Sequence, residues 1–321
     1  MKKKLLITLC GILLLSGCGN AKLKDGDTDL VTFKEKKAIS TETLYNELKE
    51  TYGAETLTNL VDTYLLEDLY DTTTEENQYV KQQLKSAQEA AKSMGVATDL
   101  YLMYYYGVAN EDMYEKQLRL DYKRGIYATD YAKENVTDTE INEYYEKEVF
   151  GDIEASQILI SVDTSNSTTE DQKTDAKEAA KKKAQEVIKK LKAGEDFATL
   201  AQTYSDDSLT SSKGGSLGKV NKEDVSAVII NALRNLKDGE YTTSPVEDTT
   251  GYYILYRTSQ DEKAELTDEL KETIINTIAE ETATNTENYK LKAMKALREK
   301  NEMDINDSKL KKAFDELHKN Y

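Results

Sequence analysis

The sequence predicts an α+β fold, a mixed helix-and-strand module set between two helical flanks. Three observations predict it. The 321-residue chain carries one proline, Pro245, so long helices are permitted almost throughout. Six of its fifteen glycines fall between Gly194 and Gly251, where short β-like runs first appear. On both sides of that stretch, apolar residues recur at helical spacing.

The elements follow in order. Leu30–Phe33 reads as a short strand. Ile39-Ser40-Thr41-Glu42-Thr43-Leu44 opens a helix, with Ser40 as N-cap and Ile39 stapling onto Leu44. Leu57, Leu60, Val61, Tyr64 and Leu65 then repeat at the spacing of one buried helical face. Helical patterning continues to about Ala132, interrupted near Gly95 and Gly107. Val136-Thr137-Asp138-Thr139-Glu140-Ile141 is a capping box with its staple, opening a helix that ends near Gly151. Ala155–Val162 reads as a strand. Ala176, Ala179, Ala180, Ala184, Val187, Ile188 and Leu191 make an amphipathic helix with Lys181–Lys183 on its solvent side, stopped by Gly194. Asp196 caps a second helix that buries Phe197, Leu200, Ala201 and Tyr204. Lys213–Gly218 turns into a short strand, and Val225, Val228, Ile229, Ala232, Leu233 and Leu236 form a further helical stripe. Gly239 breaks it, and strands are predicted at Tyr241–Val246 and Tyr252–Thr258. The module 152–259 is thus β-α-α-β-α-β-β. Helical patterning resumes at Leu266 with Thr267 as N-cap. Neither flank, 30–151 or 260–321, has a closed core alone, so the two are expected to pack as one discontinuous all-helical domain with the module inserted.

The N-terminus indicates where the chain works. Lys2, Lys3 and Lys4 precede an apolar run, Leu5–Leu15, well short of the ~20 residues that cross a bilayer. This is the layout of a secretory signal. Leu15-Ser16-Gly17-Cys18 resembles the lipobox of bacterial lipoproteins. That resemblance implies cleavage after residue 17, a diacylglyceryl group on Cys18 and residues 18–29 as a linker between lipid and fold. An ordinary secreted protein with an incidental cysteine is the competing reading. Cys10 lies in the removed segment, so the mature chain has no disulfide of its own. The expected location is the outer side of the cell membrane.

Composition narrows the chemistry. Loss of three lysines with the signal moves the formal charge from −17 to about −20, which argues against nucleic acid as a partner. His318 is the single histidine, so Ser-His-Asp catalysis, Cys-His catalysis and histidine-ligated metals lose their key residue. Asp206–Asp207 has no further ligands apparent nearby, and neither a metal nor a cofactor is implied. There are 22 tyrosines and no tryptophan. Tyr101, Tyr104, Tyr105 and Tyr106, with Leu102 and Met103, form an aromatic patch that reads either as helical core or as a surface for unfolded chains.

Three stretches carry a family resemblance: "GEDFATLAQTYSDDS" from Gly194, "KGGSLG" from Lys213 and "LKDGEYTTSPVEDTTGYYILY" from Leu236. In order and spacing they resemble the parvulin family of peptidyl-prolyl isomerases. With the lipobox and helical flanks, the whole chain looks like the PrsA-type foldase lipoproteins of Gram-positive bacteria. The resemblance implies a membrane-anchored foldase whose partners are unfolded or newly translocated secreted proteins, and it leaves a homodimer open. It also marks site positions. Where parvulins carry histidines, this chain has Gln157 and Tyr253. Val225 and Ile229 stand where Met and Phe floor the proline pocket, and Asp248 replaces a threonine. Asp207 matches the family's polar Asp or Cys; as a plain residue it reads equally as a turn-capping carboxylate. With both histidines replaced, two functions remain open: an isomerase with an altered site, and a non-enzymatic chaperone whose parvulin module is degenerate.

Overall fold

The structure, a computed structural model, describes residues 23–163 and 169–319; Cys18 and the signal at 1–17 lie outside the described residues. Along the chain run β1 (Asp29–Val31), β2 (Ile39–Ser40), α1 (Thr41–Leu69), α2 (Thr74–Ser93), α3 (Thr98–Tyr106), α4 (Glu111–Asn135) and α5 (Asp138–Glu148). Then come β3 (Ile153–Ser161), α6 (Glu170–Lys192), α7 (Phe197–Tyr204), β4 (Ser216–Val220), α8 (Ala227–Arg234), β5 (Val246–Asp248) and β6 (Gly251–Gln260). The chain finishes with α9 (Asp268–Asn285), α10 (Tyr289–Lys300) and α11 (Ser308–Leu317). Two compact units form: a helical one from residues up to Thr137 and from Glu272 onward, and a sheet-containing one, Asp138–Lys271.

Helices of the first unit begin where side chains can accept the free amides of the first turn. Ser40 accepts from the Thr43 amide, Thr73 from Glu76 and Asn110 from Met113. Its main core joins Leu66, Leu120, Tyr127, Ala128 and Ala132 to Ala279, Ala293, Met294 and Leu297. At its centre the carboxylate of Asp62 is fully enclosed. It accepts from Arg298 Nε and Nη2 (2.8 Å each) and from Arg124 Nε (2.9 Å) and Nη2 (2.6 Å). A second enclosed pair, Lys49–Asp307 at 3.1 Å, ties α1 to the cap of α11.

That ion cluster corrects the expected face of α1. Leu60 and Tyr64 are exposed, and the inward line is Thr58, Asp62 and Leu66. An acid pairs favourably in the interior only with well-placed cations, and two arginines supply them, so a polar position takes a core role. Leu60, Val61, Tyr64 and Leu65 instead line an open apolar hollow of about 330 Å³ with Asn301 and Met303. The aromatic stretch of α3 is likewise not all core. Leu102 is buried and Tyr101 half-buried, while Met103, Tyr104, Tyr105 and Tyr106 are exposed.

The second unit is built on a four-stranded antiparallel sheet in the order β4-β3-β6-β5. Side chains alternate faces along each strand. Ile158, Ile160, Tyr252 and Ile254 face α6 and α7 and pack on Ala184, Val187, Ile188, Leu200 and Ala201. Ala155 and Leu255, on the opposite face, pack with Ile229, Ile230 and Leu233 of α8. The predicted strand Tyr241–Val246 is not formed. Tyr241 makes one isolated bridge to Tyr256, and pairing resumes at Val246 in a shifted register, because the Leu255 amide donates to the Thr242 hydroxyl and not to a strand carbonyl. The helix expected to belong with the N-terminal flank, α5, packs within the sheet unit. Tyr145 Oη donates to the Ala264 carbonyl at 2.7 Å, Lys222 Nζ donates to Tyr144 Oη at 3.1 Å, and Arg234 donates to the Lys147 carbonyl.

Candidate functional site

The site residues meet on the α8 side of the sheet. Gln157 and Leu159 on β3 stand opposite Leu255 and Tyr253 on β6, and Tyr253 in turn pairs with Val246 on β5. Beyond Ser156, β3 loses its β4 neighbour, and the turn after α7 takes over that edge. Asp206 N donates to the Leu159 carbonyl (2.7 Å), Ser161 N donates to Asp206 Oδ2 (2.9 Å), and Leu159 N donates to Ser205 Oγ (3.1 Å). This stitching places Asp207 against Gln157.

Asp207 is the centre of a small polar network. Its carboxylate accepts from Gln157 Nε2 at 2.8 Å, from the Leu209 amide at 3.0 Å and from the Thr210 hydroxyl. Asp207 is therefore both a turn cap and a partner of Gln157. Burial pushes its carboxyl up, but the bonds from Thr210, Gln157 and the Leu209 amide outweigh that and hold it below the usual aspartate range. Gln157 is fixed from the backbone as well, its amide donating to the Gly215 carbonyl at 2.8 Å. Gly215 sits at φ +83°, and a Cβ there would lie 2.3 Å from the Gln157 carbonyl oxygen, so this close approach requires glycine.

The apolar part of the site comes from α8, the turn before it and β6. Val225 and Tyr253 are half-buried against the cluster that holds Ile229 and Leu255. Ser226 caps α8, accepting from the Ile229 amide, and its hydroxyl donates to Asp248 Oδ2 at 2.5 Å. The Ser226 hydroxyl and the Thr249 amide hold the Asp248 carboxyl below its usual value. Gln157 and Asp207 are thus brought into direct contact, with Val225 and Ile229 packed on the same sheet face. Tyr253 shares that face, yet among the described residues its hydroxyl makes no bond to Gln157 or Asp207. Sequence reasoning missed Thr210 and Ser226. Thr210, three residues after an aspartate, and Ser226, directly before an apolar run, both carry the ordinary signal of a side chain closing a turn or a helix start.

Residues 158–259 match the rotamase family described as the PPIC-type PPIase domain, beginning one residue after Gln157. Over 276 residues the chain is 33% identical to the foldase protein PrsA of Bacillus subtilis (strain 168), covering 84% of this chain and 82% of that relative. The chain belongs to the PrsA foldase family. It is also 29% identical to the foldase protein PrsA 4 of Bacillus cereus over 325 residues, 99% of this chain and all of the relative. The crystal structure of a PrsA peptidyl-prolyl isomerase from Bacillus cereus superposes on it with a TM-score of 0.50 at 26% identity, covering 91% of this chain and 99% of that one. The PrsA foldase structure from Streptococcus pneumoniae, at 19% identity and TM-score 0.57 over 89% and 98% of the two chains, shares the fold. Its rotamase region thereby makes this PrsA-family chain a member of the peptidyl-prolyl isomerase family as well.

Proposed function

We propose that this foldase works outside the cytoplasm, tethered by a lipid on Cys18 to the outer face of the cell membrane. There it receives secreted proteins before they have folded. Residues 152–259 hold proline-containing segments, and the helical unit, residues up to Thr137 and from Glu272 onward, acts as one domain that shields exposed apolar chain. The ion cluster of Asp62 with Arg124 and Arg298 supports the shared domain, because it joins side chains 236 positions apart in sequence. The exposed tyrosines and Met103 of α3 support the shielding role: each offers a broad apolar surface, and the tyrosines add a polar tip.

The observation that carries the isomerase reading is the Gln157–Asp207–Thr210 network beside Val225 and Ile229. Rotation about an X–Pro bond meets a barrier of roughly 18–20 kcal/mol and breaks no covalent bond. The catalyst must hold the ring on an apolar floor and favour an amide that has lost its resonance. Val225 and Ile229 supply a floor shallower than Met and Phe would. Gln157 spends one N–H on Asp207 and keeps a second N–H and its carbonyl for the twisted amide. Tyr253 offers a hydroxyl on the same face in place of a second histidine. Such a site favours slow isomerisation, with Gln157, Asp207 and Tyr253 as its polar groups. The competing function, chaperoning without isomerisation, draws support from the separation of Tyr253 from the network. A proline-isomerisation assay on the mature chain decides between them. A rate above background that falls with Asp207→Ala supports the altered isomerase. No rate, together with suppressed aggregation of an unfolded client, supports the chaperone.

A further inference from the structure

Residues 23–40, at the end of the helical unit nearest Cys18, have no role in the site described above. β1 and β2 pair antiparallel into a two-stranded hairpin, and among the described residues no third strand joins it. Leu30 is 50% exposed, Val31 44%, Phe33 47% and Ile39 39%. Two-stranded hairpins are marginal in water and usually need a layer to pack on. Here large apolar side chains reach solvent instead. The tip between the strands carries Lys34, Lys36 and Lys37 against one acid, Glu35. Among the described residues none of these lysines is ion-paired, in a chain of net charge −17.

The hairpin is also held in place. Leu23 N donates to Glu42 Oε2 (3.3 Å), Glu42 N to the Gly26 carbonyl (2.8 Å) and Thr41 N to the Thr28 carbonyl (2.9 Å). Residues 23–28 are therefore pinned to the first turn of α1, next to the hairpin. Leu23 lies five positions after Cys18, a step that spans at most about 18 Å fully extended. Whatever surface holds the acyl chains lies within that reach of Leu23.

We propose that this hairpin is a membrane-contact device, laying Leu30, Val31, Phe33 and Ile39 with Lys34, Lys36 and Lys37 on an anionic bilayer surface. The proposal rests on the lipid tether at Cys18 for its geometry. Lysines with apolar neighbours suit a bilayer interface, where the stems and rings enter the headgroup layer and the ammonium groups stay at the lipid phosphates. The strongly acidic body is repelled by the same surface, so a cationic tip at the tethered end fixes which end faces the lipid. A soluble polyanion would engage the lysines but leave Phe33 in water.

The chain has no tryptophan, so Phe33→Trp places a single emitter at the tip. The unlipidated mature chain, Cys18→Ser, carries this change and is mixed with vesicles of phosphatidylglycerol and phosphatidylcholine, with phosphatidylcholine alone, and with soluble polyphosphate. The expected result is a blue shift with the anionic vesicles only, reversed by salt. Replacing all three lysines by glutamine weakens partition about tenfold or more. The same shift with polyphosphate or with phosphatidylcholine alone, no shift at all, or unchanged partition after the lysine changes overturns the proposal. Incorporation of labelled lipid into the wild-type chain is measured separately. Its failure removes the tether, whereas failure of the vesicle arms removes the hairpin contact alone.

Discussion

Asp62→Asn tests the helical unit at its centre. The change keeps the shape of the side chain and removes one charge, leaving Arg124 and Arg298 facing each other across an enclosed amide. In the wild type Asp62 is fully enclosed, the Arg298 side chain is 6% exposed and the Arg124 side chain 16%, so water can do little to compensate. Removing one partner from a buried ionic group typically costs about 3–5 kcal/mol, because the remaining charge stays desolvated. For a unit of this size, 1 kcal/mol shifts Tm by roughly 2–4 °C, so a fall on the order of 10 °C is expected. The exposed pair Lys311–Asp315 is the internal control. Lys311→Gln should shift Tm by no more than about 2 °C, since an exposed i,i+4 pair contributes roughly 0.3–0.5 kcal/mol.

The assay is thermal unfolding followed by hydrogen exchange. Protection should be lost in α1, α4 and α10, which hold the three members of the cluster, while β3 and β6 keep theirs. A Tm within about 1 °C of wild type, or loss of protection first in the sheet, would refute the reasoning that this cluster joins the two flanks.

Three further outcomes are expected. Gln157→His with Tyr253→His should raise the isomerisation rate on a proline peptide, and either change alone should do little; an equal gain from one single variant contradicts the paired-network argument. The wild-type site contains no histidine, and Asp207 and Asp248 are both held below their usual values. Their contribution is therefore present above the unfolded aspartate pKa of about 3.9 and is lost as pH falls through the lower folded values, so peptide binding should be flat from pH 5 to 8. A step near pH 6.5 in binding titrations would contradict that assignment. Gly215→Ala should displace the Gln157 backbone and reduce both module stability and peptide binding, seen as a lower midpoint in denaturant and chemical-shift changes along β3; a variant with wild-type stability and shifts would show that the close approach tolerates a methyl group.

Much of the fold was legible because it is written locally. Ser40, Asp196 and Thr267 accept amides three residues on, and that spacing is visible in the chain itself. Gly194 with φ +91° ended its helix as expected. The start of α6 was missed by several residues. Its Thr169–Gln172 capping box precedes the apolar stripe from which the helix was inferred. The face of α1 was misread because apolar periodicity counts greasy positions and ignores a carboxylate that finds two arginines far away in sequence. Tyr241–Val246 failed because the Thr242 hydroxyl takes the Leu255 amide and the register shifts before Val246, a side-chain bond that the apolar pattern does not show.

The site divides along the same line. Asp207 could be singled out from its turn, but its bond to Gln157 links residues 50 positions apart and exists only because the turn at Ser205 and Asp206 seizes the open edge of β3. That edge holds together a network that contains no histidine. A paired-histidine site depends on two rings sharing oriented protons, so losing both would dismantle it if nothing else fixed the groups. In this chain the carboxylate is oriented by the Leu209 amide and the Thr210 hydroxyl, and the glutamine by the Gly215 carbonyl. Orientation thus comes from the backbone, and the Gln157 amide can hold Asp207, but it cannot pass a proton to a partner at position 253 as an imidazole would. Position 253 has no such support, since its strand register aims it at Leu159 and Val246. Restoring only one partner therefore completes half of a network, which is why the two histidine changes are expected to act together.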